Sequence, residues 1–384
     1  MLTGLSIENF KCFSNLRIEL APLTLLTGFN GGGKSTSVQP LLLLSQAVRR
    51  SSNPIGLPLN GPLVKLGTVG DVVLPNGGPI FSIIAGKDQI KWQFTAKAGE
   101  RSFYIADAVA PGPLTQEIRW DHSVWPSSTA EQVSEDPRSH SVRRALSTLA
   151  YVTAIRSGTP EVYPFPEIDD GRTGDVGRDG QFAPYWYDRM VDEAVYPERL
   201  HPAESATTLR KQLDAYLSSL FPNAQANVTG IPQASALALR FRIGESSEWR
   251  RPANIGFGLT YAFPILIAFL TTPPGQTLVI DSPEAHLHPS VQSEMGRILA
   301  RMASAGLQLI VETHSDHLLN GVRLAVKERL IRHEQTAIHF FGGTKPNAHG
   351  VISPSIDPEG AISDWPSGFF DQSERDLARL SGWA

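Results

Sequence analysis

Residues 28–35 of the sequence read Gly28-Phe29-Asn30-Gly31-Gly32-Gly33-Lys34-Ser35. This segment fits the phosphate-binding pattern G-x-x-x-x-G-K-[ST] at every fixed position. It follows an apolar stretch at residues 23–27, predicted as a short buried strand, and precedes a predicted helix from about Lys34 to Arg50. The glycines let backbone N–H groups face phosphate oxygens, and the helix N-terminus adds partial positive charge. The segment therefore predicts a site for a nucleotide and its Mg²⁺ ion.

The candidate nucleotide-binding residues of this loop are Asn30, Gly31, Gly32, Gly33, Lys34, Ser35 and Thr36. Lys34 is expected to reach the β- and γ-phosphates of ATP. The Ser35 hydroxyl is expected to hold Mg²⁺, with Thr36 beside it. A glycine-rich turn that merely precedes Lys-Ser is the competing interpretation, and the flanking strand and helix disfavour it.

A second group of polar residues lies far down the chain, where two predicted strands end. Asp281 closes the apolar stretch Leu278-Val279-Ile280 and is typical of a Walker B acid, which positions Mg²⁺. His314 follows the next predicted strand, Leu307 to Glu312. Because ligands bind at the carboxyl ends of parallel strands, His314 is predicted to sense the γ-phosphate.

Other histidines allow more than one interpretation. His286 and His288 lie two residues apart and could bind a metal, but no cysteine is near them. A structural loop before Pro289 is therefore the favoured interpretation. His317 is expected to be a solvated or capping residue at the start of a helix.

Composition narrows the class of protein. The chain has 384 residues, with 34 basic and 38 acidic side chains and a net charge of −4, which argues against a strongly basic nucleic-acid coat. Its one cysteine, Cys12, excludes an internal disulfide. The longest apolar stretch, Tyr261 to Leu270, is too short to span a membrane. We therefore expect a soluble protein of the reducing cytoplasm with no membrane contact.

The order of predicted elements indicates an α/β fold. Residues 5–20 and 80–96 alternate apolar and polar side chains and predict an N-terminal β lobe. The last third alternates strand and helix, which predicts a parallel sheet. Residues 110–140 and 157–200, within a loop-rich region around 97–205, are expected to be surface excursions, with a strand or helix between them around Ala145 to Ile155. The elements expected after residue 200 are a helix over Ala206 to Leu220, strands over Ala236 to Ile243, Gln276 to Ile280, Leu307 to Glu312 and Ile338 to Phe341, and helices over Pro289 to Ser304 and His317 to Arg332.

The segment Asn254 to Thr260 comes before an apolar helix predicted over Tyr261 to Leu270. Thr260 is predicted to cap this helix and to offer its hydroxyl to an anion. On its own the segment is an ordinary capped helix. However, Thr260 precedes Asp281 by 21 residues, which is the order and spacing of the signature helix in ABC-type ATPases.

Together these motifs resemble an ABC-type, P-loop NTPase head, and in particular the AAA-family ATPases that carry a C-terminal DUF3696 segment. A looser resemblance is to the ATPase heads of overcoming-lysogenisation-defect (OLD), RecF and SMC proteins. The resemblance divides the chain into an ATPase head at 1–341 and a DUF3696-like segment at 342–384. The stretches that carry it are Ile7 to Lys11, Leu66-Gly67, Arg156 with Gly158 and Pro160, Asn254 to Thr260, Pro283 to Pro289, Glu312 to His317 and Asp364 to Gln372.

The resemblance implies an ATP sandwich, in which the phosphate loop of one chain faces the signature of a second copy. Gly256, Gly258 and Thr260 would then contact the γ-phosphate across the dimer. The resemblance also places Lys11 among the nucleotide-binding residues. ATP binding would close the pair and hydrolysis would open it.

The sequence departs from the family pattern at two positions. The signature has Thr260-Tyr261 where Ser-Gln is usual, and Ser282 stands where the catalytic base would follow Asp281. Glu284 is the nearest carboxylate and is predicted to take that role. If it does not, the chain is a hydrolytically weak, ATP-dependent scaffold. Gln39 is a weak candidate for the glutamine loop.

The expected partners are a second copy, or a higher oligomer, and an effector. No stretch is long enough for SMC-type arms, and we expect no toprim nuclease domain. The resemblance implies a nuclease or toxin encoded nearby, in prokaryotic anti-phage defence. A RecF-like DNA-repair ATPase is the other alternative, and DNA binding stays open. The basic residues concerned, which also fit an ordinary solvated face, are Arg323, Lys327, Arg329, Arg332, Arg143-Arg144 and Arg250-Arg251.

Overall fold

The computed structural model describes residues 1–50, 56–74, 77–86, 88–111, 117–120, 124, 137–167, 174–244, 248–342, 350–363, 370 and 372–381. Its strands are β1 (Gly4–Phe10), β2 (Phe13–Glu19), β3 (Leu23–Gly28), β4 (Gly56–Pro58), β5 (Ile80–Ala85), β6 (Asp88–Thr95), β7 (Ser102–Pro111), β8 (Glu117–Trp120), β9 (Ala150–Val152), β10 (Tyr163–Pro164), β11 (Ala224–Ile231), β12 (Ala236–Ile243), β13 (Thr277–Asp281), β14 (Gln308–Glu312), β15 (Thr336–Phe341) and β16 (Val351–Ile352). Its helices are α1 (Lys34–Arg50), α2 (Pro137–Ser147), α3 (Ala183–Met190), α4 (Leu209–Leu220), α5 (Phe257–Thr271), α6 (Pro289–Ser304), α7 (Asp316–Lys327) and α8 (Gln372–Leu380).

The chain forms two compact units that do not follow a single cut in the sequence. Unit 1 combines residues 1–149, 336–355 and 362–384, and unit 2 combines residues 150–335 and 356–361. The expected boundary between 341 and 342 is not where these units divide, and it stays a prediction.

An antiparallel sheet in unit 1 confirms the predicted N-terminal β lobe. Its strands run in the order β2-β1-β5-β6-β7-β4, and β8 pairs with β7. Alternation decides which face is buried: in β2, Leu16 and Ile18 face the core while their neighbours are exposed. The rings of Phe10 and Phe81 meet edge to face at 5.2 Å across β1 and β5.

The other part of unit 1 carries the phosphate loop. Strand β3 pairs in parallel with β15 from Leu23↔Thr336 to Gly28↔Phe341, and β16 pairs antiparallel with β15. Strand β3 is buried at five consecutive positions, as expected for a strand covered on both faces. Helix α1 begins directly after the loop, as predicted.

Unit 2 contains two of the three parallel strands predicted for the last third of the chain, and the third is within β15 of unit 1. Strand β13 pairs in parallel with β14 on one side and with β9 on the other. Strands β10, β12 and β11 form a separate antiparallel sheet. The pairings Ile280↔Val152 and Asp281↔Glu312 bring the carboxyl ends of β9, β13 and β14 to one edge.

The expectation of a loop-rich region around 97–205 was wrong in part. Strand β7 lies inside it, and so does helix α3, whose Trp186 and Tyr187 are buried. The reason is that Pro184 occupies the first turn of α3, where proline is tolerated, so a residue taken as a loop marker starts a helix. Most of residues 112–136, also expected to be excursions, lie outside the described residues.

Helix α7 is shorter than predicted, and this changes the basic face considered for DNA. It ends at Lys327, so Arg329 and Arg332 lie beyond it. Arg323 donates from Nε to the carbonyl of Gly360 at 2.7 Å and from Nη1 to Asn320 at 2.8 Å. Within the described part of the chain, none of the helices is both long enough and apolar enough to cross a bilayer.

Candidate functional site

Lys34 lies folded into the phosphate loop. Its ammonium donates to the carbonyl oxygens of Gly28 at 3.0 Å and Phe29 at 2.9 Å, and the side chain is only 4% exposed. The loop is fastened to β15, because the Phe29 N–H donates to the Phe341 carbonyl at 3.1 Å. Asn30 and Ser35 are exposed on the loop. The cation and the hydroxyl predicted to meet phosphate and Mg²⁺ therefore lie side by side where the loop enters α1.

Three glycines of the loop have a positive φ for which a side chain is unfavourable, and the first of them, Gly28, has φ 130°. Gly31 has φ 74° and Gly33 has φ 104°. A Cβ on Gly33 would collide with the Phe13 ring and come to 3.0 Å from the Cys12 sulfur, whereas a Cβ on Gly31 would meet nothing within 4 Å. Gly33 thus fits the loop against the β1–β2 turn, and Gly31 leaves room for a ligand against the backbone.

The turn between β1 and β2 packs at the start of α1. Lys11 has φ 52° and donates from Nζ to Oε1 of Gln39 at 3.1 Å. Burial lowers the pKa of Lys11, and burial raises the pKa of the neighbouring Cys12 thiol. The structure therefore brings together Lys11 and Gln39, two residues that the sequence suggested separately.

In unit 2, Asp281 ends β13 and Ser282 follows it in a left-handed turn. Ser282 has φ 49°, and its N–H donates to the carbonyl of Glu312 at 2.8 Å. The Ser282 hydroxyl donates to Oδ1 of Asp281 at 2.8 Å. Ser282 stands where the catalytic base would usually follow Asp281. Its hydroxyl instead orients the Asp281 carboxylate.

Glu284 and His314 are joined across the same edge of the sheet. Oε1 of Glu284 accepts a hydrogen bond from the backbone N–H of His314 at 2.8 Å. The Glu284 side chain is 8% exposed, and burial raises its pKa. His314 itself is exposed. Asp281, Glu284 and His314, which were predicted from separate segments, therefore lie in one hydrogen-bonded region.

The signature segment differs from its prediction. Helix α5 begins at Phe257, four residues earlier than expected, and its N-cap is Gly256. Thr260 therefore lies inside the first turn and does not cap the helix. Its side chain is 5% exposed, whereas Gly256 and Phe257 are at the surface. The helix N-terminus at Gly256, not the Thr260 hydroxyl, is what this segment presents to solvent.

His286 packs against the signature helix. Its ring meets Tyr261 edge to face at 4.6 Å and lies 5.6 Å from Phe257, and a Cβ on Gly258 would stand 2.9 Å from its carbonyl. His288 is the N-cap of α6 and accepts from the Ser290 N–H at 3.4 Å. These contacts support the structural interpretation of both histidines. Among the described residues, no group of three or more His, Cys, Asp or Glu side chains could hold a metal.

Sequence patterns predicted no role for two residues of this region, Ser315 and Arg156. Ser315 caps α7 by accepting from the Leu318 N–H at 2.9 Å, and its hydroxyl donates to Gln292 at 2.6 Å. The sequence signal for this cap is Ser315 itself, because serine is a preferred N-cap residue. Arg156 contacts the turn after β13, and only its place in the resemblance drew attention to it.

The loop residues fit a phosphate chain. A cation, exposed backbone and a helix N-terminus converge at residues 28–36, and the space beside Gly31 is open. Ser35 offers a hydroxyl and Asp281 offers a carboxylate, and each is a hard oxygen ligand of the kind that Mg²⁺ prefers.

Comparison with protein families identifies the chain. Residues 23–320, more than half of its length, match the family described as "AAA domain, putative AbiEii toxin, Type IV TA system" (AAA_21). The chain belongs to the AAA_21 family. Residues 331–380 match a second family, described as a protein of unknown function (DUF3696). This confirms the resemblance stated from the motifs, although most of its closing stretch, Asp364 to Gln372, lies outside the described residues.

A curated relative of this AAA_21 chain is the OLD nuclease of Thermus scotoductus. The two are 24% identical over 352 residues, which are 86% of this chain and 62% of that protein. The chain therefore spans about three-fifths of the relative's length.

A solved structure similar to this AAA_21 chain is an SMC head bound to the C-terminal winged-helix domain of ScpA. The TM-score is 0.53 at 14% identity, over 93% of this chain and 98% of that one. An SMC head from Pyrococcus furiosus gives a TM-score of 0.49 at 12% identity, over 99% of each chain. The first likeness, together with the family, confirms the predicted α/β, P-loop, ABC-type fold.

Proposed function

We propose that the chain binds and hydrolyses MgATP and pairs head to tail with a second copy around two nucleotides. The observation that carries this proposal is the link between Glu284 and His314. Their hydrogen bond of 2.8 Å places a buried carboxylate beside the Asp281 turn, at a sheet edge where ligands bind. A carboxylate fixed there is suited to orient a water molecule, and Ser282 is not.

Each residue has a role in the proposed reaction, in which water attacks the γ-phosphate. Lys34 would leave its two carbonyl partners and donate to phosphate oxygens. Glu284 would accept the proton of the attacking water. His314 would contact the γ-phosphate. Bound Mg²⁺ would neutralise phosphate charge. That Ser35 and Asp281 serve one Mg²⁺, and that Lys11 meets the nucleotide, rests on the family resemblance.

The second copy would supply its signature. Gly256 is exposed at the N-terminus of α5, where partial positive charge favours an anion. We therefore propose the backbone at Gly256 as the first contact with the γ-phosphate bound to the other copy. Thr260 and Gly258 are buried in the single chain and would support this turn from behind.

The proposed biological role is control of an effector in anti-phage defence. The family description names a toxin, and the curated relative is a nuclease. We propose that the closed dimer regulates a nuclease or toxin encoded nearby, in the cytoplasm. This part rests on resemblance.

The first experiment measures mass in solution by light scattering, with and without ATP and Mg²⁺, alongside phosphate release. We expect ATP to double the mass and phosphate to be released. Asp281→Ala should abolish release. Glu284→Gln should keep the ATP-dependent dimer and lose release, because the variant keeps an acceptor for the His314 N–H but cannot take a proton.

Glu359→Gln changes an exposed glutamate elsewhere in unit 2 and serves as the matched control, with wild-type mass and release expected. A wild-type dimer without phosphate release would favour the ATP-dependent scaffold instead. A chain that binds no ATP would contradict the proposal entirely.

A further inference from the structure

Arg156 is a buried cation at the edge of the sheet where β9 and β13 end. It follows β9 by four residues and is 4% exposed. Its Nη2 donates to the carbonyl of Asp281 and to the carbonyl of Ser282, each at 2.9 Å. Arg156 therefore holds the carbonyls of two consecutive peptide units, which set the direction of the Asp281–Ser282 turn.

Two of the three guanidinium nitrogens of Arg156 have no hydrogen-bond partner in the described part of the chain. Among the described residues, no group accepts from Nε or Nη1 of Arg156, although both atoms are buried. Unpaired buried donors lower stability, so packing alone does not account for an arginine here. Burial lowers the pKa of Arg156 to about 10 while Asp281 and Glu284 raise it, so the side chain stays charged at neutral pH.

Arg156 also contacts the signature helix. Its guanidinium lies over the Tyr261 ring at 5.3 Å from the centroid. Tyr261 is in the first turns of α5, and the exposed N-terminus of that helix is one turn away. Arg156 is thus in direct contact with both the signature helix and the turn that carries the candidate metal carboxylate.

We propose that Arg156 is a positioning residue that couples the first turns of α5 to the Asp281–Glu284 turn. The inference rests on the proposed function. When a phosphate or a second copy contacts Gly256 and Phe257, Tyr261 shifts, and the Arg156 guanidinium transmits the shift to the carbonyls of Asp281 and Ser282. The occupied signature would in this way align the catalytic carboxylates of its own chain.

Arg199 provides a matched control. It is fully buried in unit 2, lies over the Tyr196 ring at 4.7 Å, and donates to the carbonyls of Phe269 and Thr272. Its Nε and Nη2 also lack partners among the described residues. None of these contacts involves a candidate site residue, so Arg199 repeats the local structure of Arg156 without its proposed role.

The test compares ATP turnover of Arg156→Gln, Arg156→Lys and Arg199→Gln, each corrected for the folded fraction. We expect Arg156→Gln to lower kcat by about tenfold to a hundredfold with KM changed less than about twofold, because alignment and not ground-state binding is lost. Arg156→Lys should restore part of kcat, since it keeps the charge but not the forked donor. Arg199→Gln should lower stability and leave kcat unchanged.

A double-mutant cycle tests the coupling itself. Tyr261→Phe keeps the ring and should keep kcat, whereas Tyr261→Leu should lower it, and adding Arg156→Gln should lower it little further. Additive effects, or a kcat for Arg156→Gln equal to that of Arg199→Gln, would overturn the inference while leaving the ATPase proposal intact. A wild-type chain without turnover would overturn both.

Discussion

At the scale of single residues, the effect of a substitution in the phosphate loop depends on whether the glycine that is replaced packs against other residues. We expect Gly33→Ala to lower the free energy of unfolding by about 1–3 kcal/mol, because φ is 104° and the added methyl meets Phe13 and Cys12. Gly31 also has a left-handed backbone, but the space around it is open. Gly31→Ala should therefore lower the free energy of unfolding by only about 1 kcal/mol. Urea denaturation of the two variants measures the difference, and equal midpoints would show that the Phe13 contact does not limit this position.

A half-buried carboxylate outside the site should make stability depend on pH. Burial raises the pKa of Asp214 to about 6, above the ordinary value of 3.8. The folded chain therefore holds the Asp214 proton more tightly than the unfolded chain does. The contribution of Asp214 to the free energy of unfolding is thus most favourable below about pH 4 and is lost as pH rises to about 6. Asp214→Asn keeps an acceptor for the Ala226 N–H, 3.3 Å away, and removes the titration.

We expect Asp214→Asn to be more stable than the wild type by about 1–3 kcal/mol above pH 6 and to lose that advantage near pH 4. Urea denaturation across this range measures the effect. Asp188→Asn, which changes an exposed carboxylate of α3, is the control and should run parallel to the wild type. A constant difference between Asp214→Asn and the wild type would contradict the prediction.

Residue types alone did not reveal every role at this scale. The motif at 28–35 specified Lys34 and its glycines because a phosphate loop requires those residues in that order. Arg156 has no such pattern, since a single arginine in a proline-rich segment looks like any surface cation. Only the fold, which runs β9 parallel to β13, brings its guanidinium to the Asp281 carbonyl.

At the scale of elements, α6 and α7 approach each other through glycines. A Cβ on Gly296 would collide with the carbonyl of Leu318, and one on Gly321 with the carbonyl of Ser293. Alanine in a helix interior ordinarily adds about 1 kcal/mol of stability relative to glycine. Here we expect Gly296→Ala and Gly321→Ala each to lower stability by about 1–3 kcal/mol, through overpacking.

Thermal denaturation of these variants is the measurement. Lys327→Ala changes an exposed position of α7 and is the control, with little effect expected. Because Gln292 of α6 accepts a hydrogen bond from Ser315, the N-cap of α7 next to His314, we also expect the glycine variants to lower ATP turnover. A higher melting temperature for either glycine variant would contradict the close approach of the helices.

Element boundaries were predictable only where a local signal marks them. Helix α6 begins as predicted, because Pro289 follows the N-cap His288, and it also ends at Ser304 as predicted. Helix α7 ends early in a Schellman arrangement: the Leu330 N–H donates to the Ala325 carbonyl at 2.9 Å and Arg329 has φ 61°. An arginine, not a glycine, occupies this left-handed position, so the sequence carries no sign of the stop.

Strand β11 was missed for a related reason. Its inward residues are Ala224, Ala226 and Val228, and two alanines give a weak hydrophobic alternation. Pairing with β12 over its whole length supplies the strand that local propensity does not. Helix α5 was found but displaced, since Gly256 caps it without a side chain.

At the scale of the whole molecule, the proposed dimer makes each nucleotide depend on two copies. Gly256→Asp should fold normally, because aspartate is a good N-cap and a Cβ there meets nothing within 4 Å. Its charge would repel the γ-phosphate of the other copy. We expect the variant to lose phosphate release, and Lys34→Ala to lose it as well.

Mixing these two inactive variants should restore activity. Half of the dimers would then pair an intact phosphate loop with an intact signature at one of their two sites, so about a quarter of wild-type release is expected. Gly256→Asn keeps the capping group without the charge and is the matched control, with release well above that of Gly256→Asp. A mixture that stays inactive would argue against sites shared between copies.

The pairing of β3 with β15 also has a consequence for synthesis on the ribosome. Strand β3 is made among the first 28 residues, yet its partner begins at Thr336, and the Phe341 carbonyl that holds Phe29 comes later still. Unit 2 is built almost wholly from residues 150–335 and can form first. The nascent phosphate loop therefore waits for nearly the whole chain to emerge before β15 can fasten it.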